Sequence, residues 1–444
     1  MIYRVLVTVL LAPLFAASTS AQEPLSLDRA LARGLEQNPE LRALRERATA
    51  SAARGAAIRQ QRLPRLGLEM SALRTNNAAA VFANKLNAGE FTSADFDIER
   101  LNSPGALSHL GTSLLVEVPV DISGRINLAS QAQAAGQEAF TSNIKEAEAA
   151  LRLQITDAYF GAVLARKAAS AAKKALEAAR AREAVTEARF NEGVALQSDV
   201  LRVRARRRMR EADAAGQESE AALALSMLAR LMAAPDGEAF ELTDSATPGK
   251  APDSLAELKA RALESRPTLL AAQKQRDAAA LNVQLERKSA WPDLSAQARL
   301  TDDRIAFSGG SQSFSVGALL RWNIFDAARS KRRSAALAEE QASREDERAA
   351  RDRVRYEVEA AFSRLQTARE RLAAAEGGAL EGREALRVVQ ERRAQGLATL
   401  TDELETEAAA VAAELEEINA ARAVVLAEAA LRRAAFITPG SNVQ

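Results

Sequence analysis

The stretch SFSVGALLRWNIFDAAR, residues 313–329, decides how this chain folds. Phe314, Val316, Ala318, Leu320, Trp322 and Ile324 alternate with Ser313, Ser315, Gly317, Arg321 and Asn323. A period of two predicts a strand with one apolar and one polar face. Upstream, Leu294, Ala296, Ala298 and Leu300 alternate in the same way with Ser295, Gln297, Arg299 and Thr301, and a short turn around Gly309-Gly310 joins the two into a hairpin. An earlier hairpin is predicted by Leu66, Leu68 and Met70, followed by Leu114, Val116, Val118 and Val120. Strands of about ten residues with these two faces suit a transmembrane barrel, apolar towards lipid and polar towards the lumen. Four strands cannot close one, because the smallest barrels need about 8 and an open edge is not tolerated in lipid. Several chains must therefore contribute four strands each: two would supply eight and three would supply twelve.

The hairpins belong to an internal duplication. LDRALARGLEQNPEL from Leu27 matches LAELKARALESRPTL from Leu255 without a gap, an offset of 228 that pairs Pro39 with Pro267 and Leu63-Pro64 with Trp291-Pro292. Each copy runs from a capped helix start to a proline stop, after which a strand begins. Further on, GVALQSDVL at Gly193 matches GLATLTDEL at Gly396, and Tyr159 matches Phe362, at an offset of 203. The second copy is shorter by the difference, which falls where the first has a long loop carrying Phe82, Phe91 and Phe96. One structural unit has been used twice.

From about Asn127 to Arg189 there is no proline, and Leu151, Ile155, Tyr159 and Val163 recur at helical spacing. A helix of roughly 60 residues is on the order of 90 Å long. Gly193 interrupts the pattern before a second helix from about Ser198 to Ala233, and the second copy repeats the long hairpin from about Ser330 with its tip near Gly396. Abundant alanine, as in KAASAAKKALEAARA, lets helices approach closely, and the many arginines and glutamates suit faces in water. The predicted organisation is a leader (1–21), a first repeat (22–232), a linker or belt segment (233–253) that sits with the C-terminal tail, a second repeat (254–435) and the tail itself (436–444).

The leader is read from Arg4, the apolar run Val5 to Ala17 and the small polar stretch Ser18 to Ala21, the layout of a secretory signal peptide. No later segment approaches the roughly 20 apolar residues that a spanning helix needs. There is no cysteine, which excludes disulfides and a lipid on cysteine. With 60 basic and 59 acidic residues the chain has no nucleic-acid-binding excess. His109 is the sole histidine and is expected in a loop, so no histidine- or cysteine-based metal site forms within one chain. No phosphate loop, nucleophile elbow or metalloprotease motif is present, and neither an enzyme activity nor a cofactor is expected.

The opening LSLDRALARGLEQNPEL, the junctions VPVDISGR and NIFDAAR, and the paired motifs GVALQSDVL and GLATLTDEL resemble the outer-membrane efflux protein family typified by TolC, over essentially the whole mature length. The resemblance implies a mixed α/β membrane protein: a homotrimer with a twelve-stranded transmembrane β-barrel, four strands per chain, continuous with a long periplasmic α-helical barrel. It implies an exit duct in the outer membrane that works with a periplasmic membrane-fusion adaptor and an inner-membrane pump, the RND type being favoured, and that carries small molecules or ions. By position it assigns adaptor contact to Gly193, Val194, Ala195 and Leu196 and to Gly396, Leu397, Ala398 and Thr399. It assigns the channel gate to Asp199, Asp402 and Glu405. Two positions depart from the family: Ala398 stands where an arginine helps latch the closed state, and Arg393 stands where an aromatic residue does.

Each residue also has a plainer reading. Asp199 and Asp402 follow a glycine turn, where aspartate caps a helix, and the run Arg204, Arg206, Arg207 and Arg208 reads either as a solvated helix face or as a binding face for adaptor or phospholipid. Trp322, Phe314 and Phe325 suit an interfacial aromatic belt or ordinary barrel packing, and Trp291 marks the barrel-to-helix junction. The rival to the duct is a periplasmic coiled-coil structural or adaptor protein, which has no use for four amphipathic strands of barrel length.

Overall fold

The computed structural model describes residues 23–235, 238, 240–243, 254–306 and 308–437. The expected leader lies outside them, as do most of the expected tail and much of the linker. The first repeat contains β1 (Glu23–Leu25), α1 (Leu27–Gln37), α2 (Pro39–Gln60), β2 (Arg65–Thr75), α3 (Ala78–Asn87), a 3-10 turn at Ser93–Phe96, α4 (Ile98–Asn102), β3 (Leu107–Val120), α5 (Arg125–Asn191) and α6 (Gln197–Leu231). The linker contributes β4 (Phe240–Leu242), and the second repeat contains α7 (Leu255–Ser265), α8 (Pro267–Lys288), β5 (Asp293–Ile305), β6 (Ser308–Arg321), α9 (Ala328–Ala394) and α10 (Leu400–Ala434). Corresponding helices have equal lengths: 11 residues in α1 and α7, 22 in α2 and α8, 67 in α5 and α9, and 35 in α6 and α10. Duplication of one unit explains that equality.

The helix expected from Leu27 to the proline stop is two helices. A proline forces the preceding residue out of the helical region, and Asn38 and Arg266 have ψ of 122° and 120°. Pro39 and Pro267 then open the next helix at its first position, where the missing N–H is no loss. Ser254 and Glu257 cap the start of α7 reciprocally.

By contacts the chain forms two compact units, one from described residues within 1–39, 151–250 and 364–430, the other from those within 40–150, 251–363 and 431–444. Each unit draws on both repeats. The first has its core at Ile155, Tyr159, Leu228 and Met232. There β1 pairs in parallel with β4, and the Tyr159 hydroxyl donates to the Leu25 carbonyl at 2.7 Å. The linker strand thus finds its partner in the start of the chain, while the tail expected beside it lies outside the described residues. Buried Asn38 donates to the last carbonyl of α6, Leu231, at 3.1 Å.

The second unit holds the four-stranded antiparallel sheet, in the order β2-β3-β5-β6. Its registers place Leu68, Leu114, Leu300 and Phe314 in one cross-strand row, and Leu66, Val116, Ala298 and Val316 in the next. Glu69, Ser113, Thr301 and Ser313 form a row on the opposite face. A slip of one residue in any strand would reverse its faces, so this register yields one continuous apolar surface. That surface is bare on the single chain: Phe314 is 83% and Val316 78% exposed. β2 and β6 each have one unpaired edge among the described residues.

The long loop between β2 and β3 carries structure of its own. Phe91 packs edge-on against Phe82 and Phe96 at 4.7 and 5.1 Å between ring centroids, and Lys85 pairs with Asp95 at 2.6 Å. This contact and the Thr92 hydrogen bonds hold the Asp95 carboxyl down to about 2. The second hairpin turns earlier than expected, between Ile305 and Ser308, and Gly309 and Gly310 already belong to β6. His109 lies in β3 rather than in a loop, and its Nε2 is 2.9 Å from the Asp303 carboxylate.

Leu300 sits mid-strand on the apolar face and Thr301 beside it on the polar face. If the apolar face meets lipid, as the strand pattern predicts, Leu300→Arg is expected to destabilise the protein by about 2–4 kcal/mol, the cost of a basic residue on a lipid-facing strand, and Thr301→Arg by much less. Urea unfolding in lipid, followed by tryptophan fluorescence, checks the difference.

Candidate functional site

The two long hairpins turn through the same device. Gly193 and Gly396 both have φ of 76°. The N–H groups of Gly193 and Val194 donate to the carbonyls of Phe190 and Arg189, each at 2.9 Å. Those of Gly396 and Leu397 donate to Arg393 and Arg392 at 2.9 and 2.8 Å. This is a Schellman motif, in which a left-handed glycine lets the chain satisfy the last helical carbonyls.

The next helix starts differently at the two turns. At α10, Thr399 and Asp402 form a complete capping box: the Asp402 carboxylate accepts from the Thr399 N–H and hydroxyl at 2.9 and 2.7 Å, and the Asp402 N–H donates back to Thr399 Oγ1 at 3.1 Å. These bonds, with Arg392 nearby, hold the Asp402 carboxyl below the usual aspartate value. At α6, Leu196 stands where Thr399 does and has no hydroxyl, so only half the box remains, with Asp199 accepting from the Leu196 N–H at 3.4 Å. Glu405 lies one turn beyond Asp402 and is exposed. The turn residues Val194, Leu196 and Leu397 are 76%, 70% and 66% exposed, whereas Ala195 and Ala398 are half-buried.

Behind the turns lies an ionic cluster that sequence reasoning missed. Glu403, only 6% exposed, takes Arg182 of α5 at 3.0 Å and pairs with Arg393 of α9. Arg182 also binds Glu407 at 2.8 Å. Burial, then the neighbouring Arg182 and Arg189, pull the Arg393 guanidinium below its ordinary value. Arg202 of α6 donates to Thr401 of α10 at 3.4 Å, which puts the helices carrying Asp199 and Asp402 side by side. Half of the basic run is spent inside the chain: Arg204 pairs with Glu187 and Arg207 with Glu183, both at 2.6 Å. Arginine and glutamate are so common here that no spacing marked Arg182, Arg393 and Glu403 out. The one available signal was Arg393 standing where an aromatic residue was expected.

Residues 258–435 match the family model described as outer membrane efflux protein. That match spans nearly all of the second repeat. The efflux-protein fold extends over both repeats. A membrane protein of Pseudomonas aeruginosa superposes with a TM-score of 0.77 at 21% identity, covering 92% of this chain and 93% of that one. The CmeC outer membrane channel of Campylobacter jejuni gives 0.78 at 16% identity over 92% and 85%. The open state of the MtrE outer membrane channel of Neisseria gonorrhoeae gives 0.73 at 19% identity over 92% and 88%. No curated protein matches the chain by sequence. The family resemblance and the efflux-channel fold read from the sequence are therefore borne out.

Glu403→Gln removes the charge that Arg182 and Arg393 share. Each lost charged hydrogen bond costs about 1.5–3 kcal/mol, and faster amide exchange around residues 393–407 is the expected result. Asp402 has a depressed folded pKa, so its contribution to the α10 start is fully present above the ordinary aspartate value of 3.8 and fades as pH falls through the folded value. Asp402→Ala is accordingly expected to speed amide exchange at residues 400–403 at neutral pH and to converge with the parent in acid.

Proposed function

We propose that three copies of this chain form one outer-membrane exit duct of a tripartite efflux or type I secretion system. The observation that carries this reading is the sheet: one apolar face, one polar face and two unpaired edges, on a chain whose second repeat matches the outer membrane efflux family. Pairing β2 of one copy with β6 of the next satisfies both edges and gives a twelve-stranded barrel whose apolar face meets outer-membrane lipid. No observation favours the soluble coiled-coil alternative, which would leave Phe314 and Val316 in water.

The helical hairpins lie in the periplasm, and their turns meet a membrane-fusion adaptor. The exposed Val194, Leu196 and Leu397 supply an apolar contact, framed by Gly193, Ala195, Gly396, Ala398 and Thr399. Asp199, Asp402 and Glu405 of three copies ring the narrow end. The hydrogen bonds of Thr399 keep Asp402 ionised at neutral pH, which favours cations there. The cluster of Arg182, Arg393, Glu403 and Glu407 takes the place of the family's latch. Energy and cargo choice come from an inner-membrane pump, an RND type being favoured, and the cargo is small molecules or ions.

In a planar bilayer the purified protein is expected to form a cation-preferring pore, and Asp402→Ala to weaken that preference. Unchanged selectivity would remove Asp402 from the gate, and absence of any pore would count against the duct.

A further inference from the structure

The junction where α8 runs into β5 and β6 runs into α9 carries an excess of positive charge beside exposed aromatic rings. Residues 286–293 and 321–333 hold seven basic and three acidic side chains, in a chain that is otherwise balanced. The acids are engaged: Asp293 by Arg125 at 3.2 Å, and Asp326 and Glu286 by Arg332 at 2.5 and 3.6 Å. Arg329 donates to the Asn323 carbonyl at 2.6 Å. Arg287, Lys331 and Arg333 are exposed and have no acidic partner among the described residues.

The rings beside them are fixed. Trp322 continues the even-numbered apolar row of β6, and its Nε1 donates to the Ala290 carbonyl at 3.0 Å. That bond ties Trp322 to the backbone just before Trp291, over whose ring the Lys288 ammonium stands 4.7 Å from the centroid. Ile324 and Phe325 are exposed alongside. The first repeat lacks these anchors, since Leu63 takes the place of Trp291 there.

We propose that this junction binds the phosphate headgroup of an anionic phospholipid in the periplasmic leaflet. The inference rests on the membrane reading above. An acyl chain lies along Val316 and Leu320, the two indoles sit at the depth that amphipathic rings favour, and Arg287, Lys331 and Arg333 extend to the phosphate. Continuity of the cluster with the apolar face selects a lipid over a soluble anion.

The test is native mass spectrometry of the detergent-purified full-length protein with phosphatidylglycerol or phosphatidylethanolamine added at equal concentration. Phosphatidylglycerol is expected to bind preferentially. Each basic residue beside an anionic surface is worth about fivefold, so the triple variant Arg287→Gln, Lys331→Gln, Arg333→Gln loses more than about tenfold of that preference. Arg344→Gln with Arg348→Gln, further along α9, keeps it, and millimolar inorganic phosphate does not displace the lipid. Should the triple variant misfold, Lys331→Gln alone gives the graded loss. Equal binding of the two lipids, a preference retained by the triple variant and by Lys331→Gln, or displacement by phosphate overturns the proposal. Bilayer conductance separates the two readings, because the triple variant still conducts if only the lipid site fails.

Discussion

A strand edge in hydrocarbon has no water to satisfy its backbone N–H and C=O groups, and each unmet group costs several kcal/mol. That constraint governs the proposed duct. Its four strands pair with one another through β3 and β5, which leaves β2 and β6 each with an open edge. The apolar rows that cross all four strands call for lipid, and the edges then call for further copies of the same sheet. Composition follows from the division of labour: the strands supply the apolar surface, and the long helices can carry arginine and glutamate freely.

The duplication reaches down to single hydrogen bonds. Asn38 and Arg266 occupy equivalent positions before the paired prolines. Asn38 closes the end of α6 through the Leu231 carbonyl, and Arg266 closes the end of α10 through the Arg433 carbonyl at 2.6 Å. Each repeat thus ties its first helix break to the end of its own last helix. The second repeat has elaborated the contact. Arg266 also meets Glu357 at 2.8 Å and Glu146 at 3.1 Å, and Glu146 receives Arg433 at 2.7 Å. A buried arginine needs such partners, whereas a neutral asparagine does not.

The fold was legible because its signals are local. Alternation in 313–324 marked a strand, proline-free alanine-rich runs marked the long helices, and Gly193 and Gly396 marked the turns. The break before each paired proline and the position of the β5–β6 turn are local details that pattern alone left loose, whereas the other failures involve side chains brought together by packing. The β2–β3 loop folds because Phe82, Phe91 and Phe96 meet, a packing that follows neither the helical nor the strand period. His109 belongs to a strand because β3 pairs it with Leu73 of β2 and Ile305 of β5, far apart in sequence, and its ring also meets Asp303, 194 residues away. At the helical turns, sequence placed Asp199 and Asp402 near their capping role but could not find Glu403, whose meaning comes from Arg182 and Arg393 on two other helices. The bare helix-capping reading and the gate reading of Asp402 are compatible, because the bonds that cap the helix also keep the carboxylate charged.

A single chain leaves both outer edges of its sheet open, and the proposed duct closes them with its own copies. The protein mass of the detergent-extracted particle, with the detergent contribution removed, tests this most directly. A mass close to three protomers is the predicted result. A water-soluble particle, or one of one or two protomers, would contradict the account.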